Sequence, residues 1–181
     1  FANEAAPYLE SGLAFYTANT PEAPTVPSHV VFDATFRHKF PFGPIVPGYT
    51  MPDGKLSKRI WKVLKKADTI EELAGLIDVD ASALAETVSK NNDYAKTGVD
   101  LDFHRGESYY DRYYGDANNS PNPCIAPIAK PPFYAIPIHP GDIGTKGGVC
   151  TDVNGSALRE DGSVISGLYV IGNTAASVMG S

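Results

Sequence analysis

The chain has 181 residues, 43% of them apolar and 20% charged, with a formal net charge of -6. That apolar share excludes wholesale disorder, and no apolar run approaches the roughly 18 residues of a membrane-crossing helix. The acidic balance argues against a nucleic-acid binder, and 2 cysteines, Cys124 and Cys150, are too few for a disulfide framework or a structural zinc site.

The length suits one domain, or one and part of another. The chain opens Phe1-Ala2-Asn3-Glu4, with no initiator Met and no signal-peptide pattern, and stays apolar to Val178-Met179, which reads as a cut-out of a longer protein. Sparse cysteine points to a reducing compartment, most simply the cytoplasm.

Residues 20–54 are rich in Pro and Gly, with His29-Val30-Val31-Phe32 as a short strand and Phe40 to Pro44 and Pro47-Gly48 as irregular loop. Lys55 to Lys66 carries six cationic side chains, and Leu56, Ile60, Val63 and Leu64 suit an amphipathic helix, although the Val63 region fits a strand equally. A solvated basic face explains this stretch more simply than an anionic partner. Thr69-Ile70-Glu71-Glu72 is a capping box, after which Leu73, Leu76 and Ile77 share one face. A second helix starts after Asp80 and runs to about Ala95, burying Leu84, Val88 and Ala95, and stops at Thr97-Gly98. The two make a helical hairpin with a packing role.

Tyr109, Tyr110, Tyr113 and Tyr114 form an aromatic cluster, and the stretch from Asn118 to Pro132 is a proline-rich extended connector. Phe133 to Ile138 is a strand, and Pro140 to Gly148 a glycine-rich loop. Asn154-Gly155 and Asp161-Gly162 mark hairpin turns within a β meander, and Gly167 to Gly172 reads as a buried strand ending in a glycine turn.

The glycine loop lacks the spacing of a phosphate P-loop, because Lys146 is followed by Gly147, and it lacks Gly-x-Gly-x-x-Gly. It is either a ligand-facing loop or a plain tight turn. The 4 histidines, His29, His38, His104 and His139, show no metal-ligand spacing, and no Ser-His-Asp arrangement is present. A tyrosine base requires surroundings that favour the phenolate, so most of the 10 tyrosines are packing residues. Residues alone therefore give an α+β chain of open function.

Several stretches resemble the 3-ketosteroid Δ1-dehydrogenases of the succinate dehydrogenase/fumarate reductase flavoprotein superfamily. They are Phe1 to Tyr8 (FANEAAPY), Asp102 to Ser108 (DFHRGES), Tyr113 to Asp116, Pro131 to Ala135, Pro140 to Gly148 and Gly167 to Thr174, all in the right order. The resemblance implies an FAD enzyme with a catalytic α+β domain inserted into a Rossmann-like FAD domain. Residues 1–145 would be the later part of the insert, and 146–181 would return to the FAD domain as a β meander. It implies removal of a proton from C2 and a hydride from C1 of a 3-ketosteroid, with the hydride passing to flavin N5 and then to an electron acceptor.

By the same resemblance Tyr8 is the base, with Tyr16 as runner-up. Gly147 and Gly148, and Gly172 and Asn173, would lie against FAD. The donors that polarise the C3 carbonyl would follow Ser181, so these residues alone would be inactive. Phe32, Phe36, Phe40 and Phe42 are candidates for an apolar steroid slot, beside their plainer role in a core. Alternatives are a fumarate reductase-like enzyme, disfavoured because Arg37, Arg59, Arg105, Arg112 and Arg159 lie in no carboxylate-gripping motif, or a non-catalytic partner-binding domain.

Overall fold

A computed structural model describes residues 2–141 and 147–176. The centre of the glycine loop, residues 142–146, and the end from Ser177, including Met179 and Ser181, lie outside the described residues. The chain divides into two compact units, Phe1–Pro140 and Gly141–Ser181. Helix and strand are mixed, and among the described residues no helix is long and apolar enough to cross a membrane.

The first unit runs α1 (Tyr8–Thr17), β1 (Ser28–Phe32), α2 (Ala34–Lys39), α3 (Lys58–Val63), β2 (Lys65–Ala67), α4 (Ile70–Leu76), α5 (Ala81–Thr97), α6 (Tyr109–Tyr114) and β3 (Phe133–Ile138). Its sheet is antiparallel in the order β1-β3-β2, with Phe32 opposite Tyr134, Val30 opposite Ile136 and Ala67 opposite Phe133. Successive side chains of a strand point to opposite faces, so β3 feeds two cores. Tyr134 and Ile136 join Phe32, Ile45, Leu56 and Leu64 on one face, while Phe133 and Ala135 join Ala67 and Leu73 on the other. Burial on both faces explains why Phe133 to Ile136 is a continuous apolar run rather than an alternating one. Pro137 has no N–H to donate, and it falls beyond the three residues that β2 pairs, where only β1 flanks β3.

Caps place the helices. Thr69 Oγ1 accepts from the Glu72 N–H at 3.1 Å, as the capping box requires, but the Glu72 carboxylate reaches one residue further, to the Asp68 N–H at 3.2 Å. Asp80 caps α5, and Gly98 ends it with φ +79°, its N–H bonded to the Tyr94 carbonyl at 2.7 Å. Asp33 caps α2 through one carboxylate oxygen and accepts the Ala129 and Lys130 N–H groups with the other, tying the proline connector to the end of β1.

Some expectations change. The Lys55–Lys66 stretch is both helix and strand, because Leu64 turns extended after α3 and β2 follows. Leu73 is fully buried, but Leu76 is 51% exposed, so α4 presents a narrower apolar face than its spacing suggests. Val88 and Ala95 are buried and Leu84 half-buried. Helices α1, α2 and α6 were not expected; two of them are six residues long, too short to show a helical period.

In the second unit β4 (Ser156–Leu158) and β5 (Val164–Tyr169) form an antiparallel ribbon through the Asp161-Gly162 turn. Val149 to Val153 contributes single bridges, Val149 to Ala175 and Thr151 to Ala157, rather than a strand. The expected buried strand at Gly167–Gly172 is exposed, with Leu168 at 44% and Ile171 at 79%, because a two-stranded ribbon has no layer of its own to cover these faces.

Leu73→Ala should therefore cost about 2–5 kcal/mol of unfolding free energy, as a cavity in a closed core does. Leu76→Ala, on the same helix, should stay within about 0.5 kcal/mol. Urea titrations of the two variants separate these outcomes.

Candidate functional site

Tyr8 is the first residue of α1, after Pro7, and is 84% exposed. The segment before it is held at two points. Asn3 Oδ1 accepts from the Ala5 N–H at 3.0 Å, and the Glu4 carboxylate accepts from the Arg105 guanidinium. Arg105 is buried, with its side chain 2% exposed, and its Nε donates to Asp100 Oδ2 at 2.5 Å. Asp100 also accepts from the Asp102, Phe103 and Arg105 N–H groups. Burial works against the charge of Asp100, but the hydrogen bonds from Arg105 and these amides outweigh it and hold its pKa below the usual carboxylate value. Burial likewise opposes the Arg105 charge, and Glu4 and Asp100 overcome it.

The loop that seats Arg105 also seats α6. The Gly106 N–H donates to Asp111 at 2.9 Å, and Arg112 Nε donates to the Gly106 carbonyl at 2.6 Å. Gly106 has φ +86°, and a Cβ there would lie 2.3 Å from Asn122 Oδ1, so only glycine fits. Asn122 is buried and donates to the Gly98 and Arg105 carbonyls, closing the loop from below. On α6, Tyr114 packs against Tyr110 and Tyr113 at centroid distances of 5.3 and 4.9 Å. The Tyr110 phenol is pushed up, first by loss of solvent and then by the charges of Tyr114 and Tyr8. Tyr16 lies at the far end of α1, 65% exposed.

Tyr134 is a second conspicuous phenol, and its environment disqualifies it as a base. It is buried and donates to Asp53 Oδ2 at 2.7 Å. Burial and the Asp53 charge push its pKa far above the ordinary tyrosine value. Asp53 in turn pairs with Lys66 at 2.8 Å and Arg37 at 3.2 Å, while Arg37 also donates to the Val46 and Met51 carbonyls. This network, missed in the sequence, joins α2, β2 and β3.

In the second unit the structure brings the proposed cofactor residues together. The Val149 N–H donates to the Thr174 carbonyl at 3.0 Å, and the Ala176 N–H to the Val149 carbonyl at 2.9 Å, so Gly148 lies against the end of the short 3-10 turn Gly172–Thr174. A Cβ at Gly148 would sit 2.5–2.7 Å from the Thr174–Ala175 backbone. Gly172 has φ +65°, and a Cβ there would meet nothing within 4 Å. The result is a ledge of exposed backbone with few side chains, which fits a flat heteroaromatic group.

Other candidates fall away. Phe32 is buried in the core, stacked on Tyr134 at 5.4 Å, and the half-buried Phe36 and Phe42 pack against that core, with Phe40 against Phe36 at 5.2 Å. His104 pairs with Glu107 at 3.0 Å, and His139 is exposed. Among the described residues no cluster of His, Cys, Asp or Glu could hold a metal ion.

The architecture is that of a flavoprotein. A solved 3-ketosteroid delta1-dehydrogenase from Sterolibacterium denitrificans, in complex with 1,4-androstadiene-3,17-dione, superposes with a TM-score of 0.87 at 49% identity, over 98% of this chain and 32% of that one. The open conformation of a flavocytochrome c3 fumarate reductase superposes at 0.61 and 25% identity, over 99% of this chain and 26% of that one. The FAD-binding domain family profile matches residues 1–181, and the chain belongs to that family, whose cofactor is FAD. The 3-oxosteroid 1-dehydrogenase of Mycobacterium tuberculosis is 46% identical over 99% of this chain and 32% of its own length. The chain thus spans about a third of the length of the curated relatives it matches.

Asp53 gives this framework an acid-sensitive joint. Burial opposes its charge, but hydrogen bonds from Lys66 and Tyr134 and the charges of Lys66 and Arg37 hold its folded pKa below 3.8. Its contribution is present above the unfolded value and lost as pH falls through the folded one. Asp53→Asn should cost about 1–3 kcal/mol at pH 7, with the gap to the native protein closing below about pH 4. Urea midpoints measured across that range test it.

Proposed function

We propose that the chain supplies two parts of an FAD-dependent 3-ketosteroid Δ1-dehydrogenase, one carrying the base and one carrying a wall of the flavin site. What supports this most is the identity of 46–49% to such dehydrogenases along 98–99% of the chain. We assign the first unit to the inserted catalytic domain and the second to the returning edge of a Rossmann-like FAD domain. The chain spans 32% of its relatives, so the C3-carbonyl donors and the rest of the FAD site are assigned outside it, and these residues alone should be inactive. The free thiols Cys124 and Cys150 suit a reducing, cytoplasmic setting.

Bound FAD would supply the acceptor for the hydride that leaves C1 of the steroid, later passing the electrons to an external acceptor. Tyr8, exposed at the start of α1, would take the proton from C2. Gly147, Gly148, Gly172 and Asn173 would hold the cofactor edge. Gly172 keeps that edge bare, and Gly148 lets the two segments close to backbone contact. A fumarate reductase-like role is disfavoured, because Arg37 and Arg105 are spent on the carboxylates of Asp53 and Asp100, and Arg112 and Arg159 on backbone carbonyls. A non-catalytic partner-binding domain would leave the glycine ledge without a purpose.

In the flavin-loaded full-length enzyme under anaerobic conditions, a 3-ketosteroid should bleach the flavin. Tyr8→Phe should slow that bleaching by about 10²–10⁴-fold, the usual contribution of a general base. An unchanged rate removes Tyr8 from the role. Gly172→Val should weaken FAD retention, read by absorbance after gel filtration.

A further inference from the structure

We infer that Arg105 is a positioning residue for Tyr8, acting through Glu4; this rests on the reading of Tyr8 as the base. Glu4 and Arg105 are 101 positions apart in sequence, yet their side chains pair directly. The two ends of the pair differ in kind. The Arg105 side chain is 2% exposed and clamped by Asp100, while that of Glu4 is 67% exposed. The arginine is the fixed anchor and the glutamate the tethered group. Within this chain α1 buries no residue of its own, and the Glu4–Arg105 pair is the ionic anchor just before its start. Between Glu4 and Tyr8 lie only Ala5, Ala6 and Pro7. Proline restricts its own φ, so the tether is transmitted through a short, stiff segment.

The same loop fixes α6. The Gly106 N–H and carbonyl hold Asp111 and Arg112, which set α6 and its Tyr110 and Tyr114. One buried cation thus sets the place of the phenol. A base displaced by about 1 Å can lose about 10²-fold in rate while substrate binding is kept. The arrangement therefore predicts an effect on kcat rather than on KM.

The test uses the full-length, flavin-loaded enzyme with Glu4→Ala, Glu4→Gln and Tyr8→Phe. Glu4 is exposed, so its variants should fold normally. Glu4→Ala should lower kcat for 3-ketosteroid dehydrogenation by about 10- to 100-fold with KM within about twofold. Glu4→Gln keeps an oxygen that accepts from the guanidinium and should recover most of the loss. Combined with Tyr8→Phe, Glu4→Ala should add little, because the group it positions is gone. Independently of turnover, amide exchange in residues 5–17 should quicken in Glu4→Ala while α5 is unchanged. If Tyr8→Phe abolishes turnover but Glu4→Ala keeps full kcat or unaltered exchange at 5–17, the positioning role is overturned alone. If Tyr8→Phe keeps full rate, the base assignment falls and this role with it.

Discussion

A guanidinium taken out of water must find its compensation inside the protein, and Arg105 shows how far that requirement reaches. Removing such a charge from solvent costs several kcal/mol unless partners surround it. Asp100 answers it in the same loop and Glu4 answers it from the other end of the first unit. Asp100 can do so only because the 100–105 turn points three backbone N–H groups at it. Asn122 can hold that turn only because Gly106 leaves it room. The DFHRGES stretch is therefore one mechanical object, whose histidine, despite its place beside the arginine, faces outward to Glu107.

The second constraint is the double burial of β3. A strand with a core on each face must be apolar at every position, and it then orders the elements on both sides. Phe32 and Leu64 come from one layer, Leu73 and Ala67 from the other. The polar network under Tyr134 is the cost of placing a phenol in that strand, since a buried hydroxyl needs a partner. Asp53 serves it, and Lys66 and Arg37 then neutralise Asp53. Phe36 and Phe42 pack against the same face, each in ring contact with Phe32.

These two constraints explain what was legible in the sequence. The strands at His29–Phe32 and Phe133–Ile138 declare themselves through apolar and β-branched runs, and α4 and α5 through caps and period. Short α2 and α6 leave no period, but each carries a cap that could have found it. Asp33 precedes α2, and Ser108 precedes α6, with Asp111 in its first turn. Helix α1 was hidden because it has no buried face to pattern. The Arg105–Glu4 pair was hidden for a different reason: sequence distance carries no register, although opposite charges within two matching stretches were a usable signal. The exposed apolar residues of β5 misled because an apolar run says that a strand wants cover, not that its own unit provides it.

Glycine is a weak witness unless the reason for it is known, and the second unit separates the reasons. At Gly148 the Thr174–Ala175 backbone alone forbids a side chain, so glycine there would be required in any protein with this bridge, ligand or none. At Gly162, φ +82° in a hairpin turn is sufficient cause. Gly172 also has a positive φ, but its turn is pinned by the bridge through Val149 and Ala175, and the space beside it is open. Gly172 therefore combines the two reasons: φ +65° strains any side chain placed there, and its open side leaves room for the cofactor edge proposed above.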